Sequence, residues 1–122
     1  MKFFLYIIIV SLSLTVNADE PYDKFFTESS LRIDFALSGN SISQSAAVMA
    51  LSEEPLWAGP RRNLIDPFEY GGYLLYAFDN QTGTLIYSHG FNTLFEEWRT
   101  TDEARKETRS WINSIIMPYP KD

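Results

Sequence analysis

The sequence predicts an all-β fold: an antiparallel β-sandwich with one short helix. Three observations lead there. Leu31, Ile33, Phe35 and Leu37 alternate with Arg32, Asp34, Ala36 and Ser38, the period-two pattern of a half-buried strand. Gly72–Phe78 alternates in the same way, then meets the turn-forming cluster Asp79-Asn80-Gln81-Thr82-Gly83 and a second β-rich run, Thr84–Ser88, which together read as a hairpin with a longer loop. Helical signals are sparse beside these strands, and short strands punctuated by turns favour a sandwich or small barrel.

In chain order, Leu31–Ser38 is the first strand, and Gly39-Asn40-Ser41 follows as a turn because glycine and asparagine tolerate positive φ. Ser43–Leu51 is rich in alanine and would also suit a helix, but the turn before it favours a second strand. Pro55, Gly59 and Pro60 make Ser52–Asn63 an irregular crossing segment, within which Trp57 is expected to cover one end of the core. After the hairpin, Thr93-Leu94-Phe95-Glu96 has the Thr-x-x-Glu form of a capping box, so a short helix is expected over Leu94–Arg99. Thr101-Asp102-Glu103 can cap a further turn. Glu107–Met117 reads as the last strand, with Pro118 and Pro120 ending it and Pro118–Asp122 starting a proline-rich linker. The core expected from this pattern contains Leu31, Ile33, Phe35, Leu74, Tyr76, Phe78, Leu85, Tyr87, Phe95 and Trp98.

Composition narrows the function classes. The 122 residues carry 16 acidic and 10 basic side chains and a net charge of −6, which disfavours nucleic acid as a partner, since phosphate binding needs a basic face. There is no cysteine, so disulfides, thiolate zinc sites and iron–sulfur clusters are excluded. Lys2, the apolar run Phe3–Leu14 and the small-residue site Val16-Asn17-Ala18 have the anatomy of a cleavable export signal over 1–18. The run is shorter than the roughly 18–20 residues that span hydrocarbon, so no stable membrane insertion is expected after cleavage. The domain then occupies 19–117, the destination is periplasmic, cell-surface or extracellular, and the core must rest on aromatic and aliphatic packing alone.

No catalytic constellation stands out. His89 is the single histidine and has neither a second imidazole nor a thiolate with which to share a metal. Gly-x-Ser-x-Gly is missing. Glu53-Glu54 and Glu96-Glu97 are adjacent carboxylates, whereas glycosidase chemistry needs two carboxyls flanking a bond, so solvated surface charge is the better reading. Asp79-x-Gln81-x-Gly83 lacks the bidentate glutamate of a calcium loop and reads as a hairpin turn. Arg61-Arg62 is expected to pair with nearby acids rather than to bind an anion. Asn80-Gln81-Thr82 is an N-glycosylation sequon in form. Trp57 and Trp111 are candidate stacking platforms for a glycan, with core duty the stronger expectation for both.

The order of motifs resembles a known family. Leu31-Arg32-Ile33-Asp34-Phe35 leads into Gly39-Asn40; Trp57-Ala58-Gly59 and Arg61-Arg62-Asn63-Leu64 follow; Leu85-Ile86-Tyr87 comes after Thr82-Gly83. Phe91-Asn92-Thr93-Leu94-Phe95-Glu96-Glu97-Trp98, Thr100-Thr101-Asp102-Glu103-Ala104 and the proline-rich Met117-Pro118-Tyr119-Pro120-Lys121 complete the series. This resembles the N-terminal domain of the IgA-peptidase family of bacterial secreted zinc metallopeptidases, metallopeptidase family sixty-four. Gly59-Pro60 departs from the bulkier residues that the family has before the arginine pair.

The resemblance implies a β-sandwich placed before a zinc peptidase domain carrying His-Glu-x-x-His. His89 is followed by Gly90-Phe91-Asn92 and matches no part of that motif, so no catalytic or metal residue is carried over, and no cofactor is expected in this chain. Zinc is expected only in the catalytic domain. The function implied is that of a non-catalytic accessory domain, whose partner is the C-terminal peptidase domain in cis or its protein substrate. Docking of that kind needs an exposed aromatic patch, and Tyr22, Phe25, Phe26, Phe68 and Tyr70 are the candidates, since they lie outside the clean alternation. The alternative is an exported carbohydrate-binding sandwich using Trp57 or Trp111.

Overall fold

A computed structural model describes residues 21–122; the expected export signal, 1–18, lies outside the described residues. One antiparallel sheet has the order β2-β1-β5, from β1 (Phe26–Gly39), β2 (Gln44–Glu54) and β5 (Arg109–Pro120). The second is the hairpin of β3 (Tyr73–Phe78) and β4 (Leu85–Phe91). A four-residue helix α1 (Tyr22–Phe25) precedes β1. Helix α2 (Leu94–Trp98) and a 3₁₀ turn, Glu103–Arg105, lie between β4 and β5. The all-β sandwich expected from the sequence is what the chain forms.

Two linked clusters fill the space between the sheets. Tyr22, Phe26, Ile86, Tyr87 and Met117 form one, with Leu31, Leu75 and Ala77 against it. Phe35, Leu37, Phe95, Trp98 and Ala104 form the other, with Tyr73, Phe91, Trp111 and Ile115 against it. Ile33 borders both. Trp57 packs on the first cluster, edge-on to Tyr87 at 6.5 Å, and so covers that end of the core as expected.

Local chemistry explains the connections. In the β1–β2 turn Asn40 Oδ1 accepts from the amides of Ile42 (2.9 Å) and Ser43 (3.1 Å), and Gly39 sits at φ 151°. Arg99 Nε donates to the Asn40 carbonyl at 2.8 Å and ties this turn to the end of α2. Thr93 caps α2, its hydroxyl accepting from Glu96 N at 3.2 Å. In the hairpin loop Asp79 Oδ2 accepts from Thr82 N (2.8 Å) and Thr82 Oγ1 (2.6 Å), which accounts for the turn without a cation.

Three expectations need correction. The inward face of β3 is Tyr73, Leu75 and Ala77, while Leu74, Tyr76 and Phe78 point outward, with Phe78 60% exposed. Both faces of this strand are apolar, so alternation alone does not choose between them. The choice comes from β4, whose inward Tyr87 and Phe91 pair with Ala77 and Tyr73. Leu85 is half-buried and outside both clusters; the buried residue beside it is Ile86, the extra residue of a bulge between the Ala77–Tyr87 and Phe78–Leu85 pairs. Lastly, β5 runs through Pro118 to Pro120 rather than stopping at Met117, and Pro118 is buried opposite Ser30. An edge strand tolerates prolines because only one of its two backbone edges needs donors.

Candidate functional site

The most exposed aromatic pair is built on the outward face of β4. Ser88 and Gly90 are small, and the segment 64–70 lies directly on them. Ser88 N donates to the Leu64 carbonyl (3.0 Å), and Asp66 N donates to Ser88 Oγ (2.7 Å). Asp66 then turns the chain: Oδ1 accepts from Phe68 N (2.9 Å) and Glu69 N (3.3 Å), and Oδ2 from Gly90 N (3.2 Å). These amides, Phe68 N foremost, hold the Asp66 carboxyl below the usual carboxylate range, with the nearby His89 adding to the effect. Glu69 takes φ 52° at the turn, and its carboxylate accepts from the Tyr76 hydroxyl at 2.5 Å, which raises the Tyr76 pKa.

The outcome is a display. Phe68 and Tyr70 stack at 5.5 Å and 15° and stand 68% and 76% exposed. The outward Tyr76 and Phe78 of β3, their rings 6.5 Å apart, adjoin them through the Tyr76–Glu69 bond. Monomeric proteins rarely leave such aromatic surface uncovered.

The other three docking candidates lie elsewhere. Tyr22 and Phe26 are core residues, 5.3 Å apart, and Phe25 is half-buried beside them, so the surface expected there is an interior. They fall outside the clean alternation because Tyr22–Phe25 is helical and the β1–β5 register shifts between Phe26 and Ser30. Arg61 reinforces this corner: its guanidinium forms a bidentate pair with Glu28 and lies 4.8 Å from the centre of the Tyr22 ring. The arginine therefore pairs with an acid, as expected, and the pair raises its pKa.

The glycan candidates are both half-buried. Trp57 donates its indole N–H to the Pro60 carbonyl at 2.9 Å and lies against Gly59. Trp111 is 6.2 Å from Trp98 and 6.4 Å from Phe95. His89 is exposed and stacks on Phe91 at 6.5 Å, and no group of three or more His, Cys, Asp or Glu among the described residues could hold a metal.

A second surface has no counterpart among the candidates from the sequence. Between β2 and β3 an apolar groove of about 210 Å³ is lined by Ile33, Phe35, Leu37, Ala46, Val48, Tyr73, Leu75 and Phe91 among others. Its signal in the sequence is Gln44–Ser52, nine residues without a charge or a proline, apolar in both phases of the alternation.

Residues 21–122 match the family described as Peptidase M64 N-terminus. The chain belongs to that family. No curated protein matches the sequence. The match spans every described element of the M64 N-terminal domain, from α1 to the end of β5, so both surfaces are features of the family-matched region itself.

Proposed function

We propose that this M64 N-terminal domain is a non-catalytic accessory domain of an exported, IgA-peptidase-like zinc metallopeptidase, and that it positions or stabilises the peptidase domain through the Phe68–Tyr70 surface. The observation that carries this reading is the stacked, exposed pair held in place by the Asp66 turn. A ring pair whose backbone is already fixed loses little conformational entropy on docking, which is what a permanent interface in cis favours. The zinc belongs to the peptidase domain in this reading, and the residues here contribute packing alone. The leader-like residues 1–18 support the exported part of this reading.

The test is direct binding between the chain and a separately produced peptidase domain of the same family, followed by calorimetry. A Phe68→Ala/Tyr70→Ala double variant should weaken the complex by about tenfold or more, as expected of aromatic anchors. Unchanged affinity, with the variant's own unfolding midpoint unaltered, overturns the assignment of this surface.

A further inference from the structure

The open groove differs from the Phe68–Tyr70 surface in one respect: one of its walls is a strand with a free backbone edge. Sheet order β2-β1-β5 leaves the outer edge of β2 without a backbone partner among the described residues. Such an edge offers a ladder of N–H and C=O groups at alternate residues, and proteins usually block it with lysine, proline or an inward charge. Along Gln44–Ser52 there is none of these. Val48 is 64% and Leu51 62% exposed on the face that looks toward β3.

From this placement we propose that the β2 edge and its groove bind an extended polypeptide segment, which adds antiparallel to β2 and lowers alternate apolar side chains between Val48 and Tyr73. The small Ala46 leaves space on the strand side, and Ile33 and Phe35 form the floor. The Tyr73 hydroxyl bonded to Gln44 Oε1 at 2.7 Å closes the end near the β1–β2 turn. Past the lined groove, on the same face of β2, stands Glu53, exposed, opposite Leu31 and in no ion pair among the described residues. Glu54, by contrast, points to the other face, 3.7 Å from Arg32. Charge complementarity therefore asks for a cationic residue at the N-terminal end of the added segment.

Asp34 pairs with Ala50 and Phe35 with Val48, so Met49 is an extra residue in a bulge, and residues 44, 46 and 48 share the groove face with 51 and 53. A strictly alternating segment, as β1 itself is over Leu31–Leu37, therefore keeps its apolar residues on the groove face on both sides of the bulge. This proposal goes beyond the docking role and uses a separate surface.

The test uses the full chain and a synthetic peptide, acetyl-Lys-Thr-Val-Thr-Val-Thr-Val-Thr-amide, with a peptide of the same composition but clustered valines as control. Hydrogen exchange of β2 amides should slow by about tenfold or more with the alternating peptide and not with the control. Glu53→Lys should weaken binding of this peptide and restore it for one beginning with Glu. Val48→Lys should abolish it, while Phe68→Ala/Tyr70→Ala should leave it intact, so that the two readings fail separately. No protection up to about 1 mM peptide, equal protection by the control, an unaltered response to the Glu53 charge swap, or concentration-dependent self-association protecting β2 in the chain alone would each overturn the proposal.

Discussion

The carbonyl oxygen of Tyr70 rests on Gly90 so closely that a Cβ at residue 90 would overlap it. The contact fixes the distance between the segment 64–70 and β4, and with it the height at which the stacked rings stand. Gly90 also donates its amide to Asp66, so one residue serves both the spacing and the turn. Replacing it by alanine forces the segment outward. Gly90→Ala should cost about 1–3 kcal/mol of stability, the usual range for overpacking, and should reduce the near-ultraviolet circular dichroism arising from Phe68 and Tyr70. An unchanged spectrum with unchanged stability would mean that the segment does not lie on β4 as described.

Phe95 is the largest fully buried side chain of the second cluster. It is fully buried, stacked on Trp98 at 5.7 Å and edge-on to Trp111 at 6.4 Å. Phe95→Ala should lower the unfolding free energy by about 3–5 kcal/mol, a large part of the roughly 5–15 kcal/mol expected for a whole domain. Phe95→Leu should lose less, since it keeps more of the volume. Urea unfolding followed by tryptophan fluorescence reads both, and a loss below about 1 kcal/mol for alanine would contradict this packing.

Thr93 tests the helix end that Phe95 depends on. Its hydroxyl accepts from Glu96 N, the one side-chain cap on α2. Thr93→Ala should cost about 1 kcal/mol, Thr93→Ser close to nothing. Equal losses from both would assign the effect to packing of the threonine methyl instead.

The legible parts of this fold are those where one local rule acts alone. The Thr-x-x-Glu cap and the Asp79–Gly83 loop could be read because their hydrogen bonds are satisfied within a few residues. The phase of β3 could not, because it depends on which residues of β4 face the other sheet, a tertiary fact. Nor could the end of β5: prolines stop most strands, and an edge position that excuses them shows only in the sheet order. The aromatic candidates divide in the same way. Phe68 and Tyr70 are displayed by a local Asp66 turn, whereas Tyr22 and Phe26 are hidden by long-range packing on Tyr87 and Met117. The groove has only an indirect signal, the uncharged, proline-free run Gln44–Ser52, because a free edge is a property of the sheet order.

Asp79 supplies the clearest pH signature. Its carboxyl is held below the ordinary carboxylate range, first by the Thr82 hydroxyl and then by the Thr82 amide. In the unfolded chain the group titrates near its ordinary value of about 4. Between the two values the unfolded state binds more protons, so stability rises with pH across that window. The contribution is therefore complete above the unfolded value and is lost as pH falls through the folded one. Asp79→Asn keeps an oxygen for one Thr82 donor but cannot titrate. The variant should be less stable than the native chain at neutral pH, and the gap should narrow steadily below about pH 4. Asp34 and Asp66, also held low by hydrogen bonds, are common to both proteins and cancel in the difference. Urea midpoints of the two chains across this range measure the gap directly. A gap that stays constant with pH would show that the Asp79–Thr82 bonds do not depend on the ionised carboxylate.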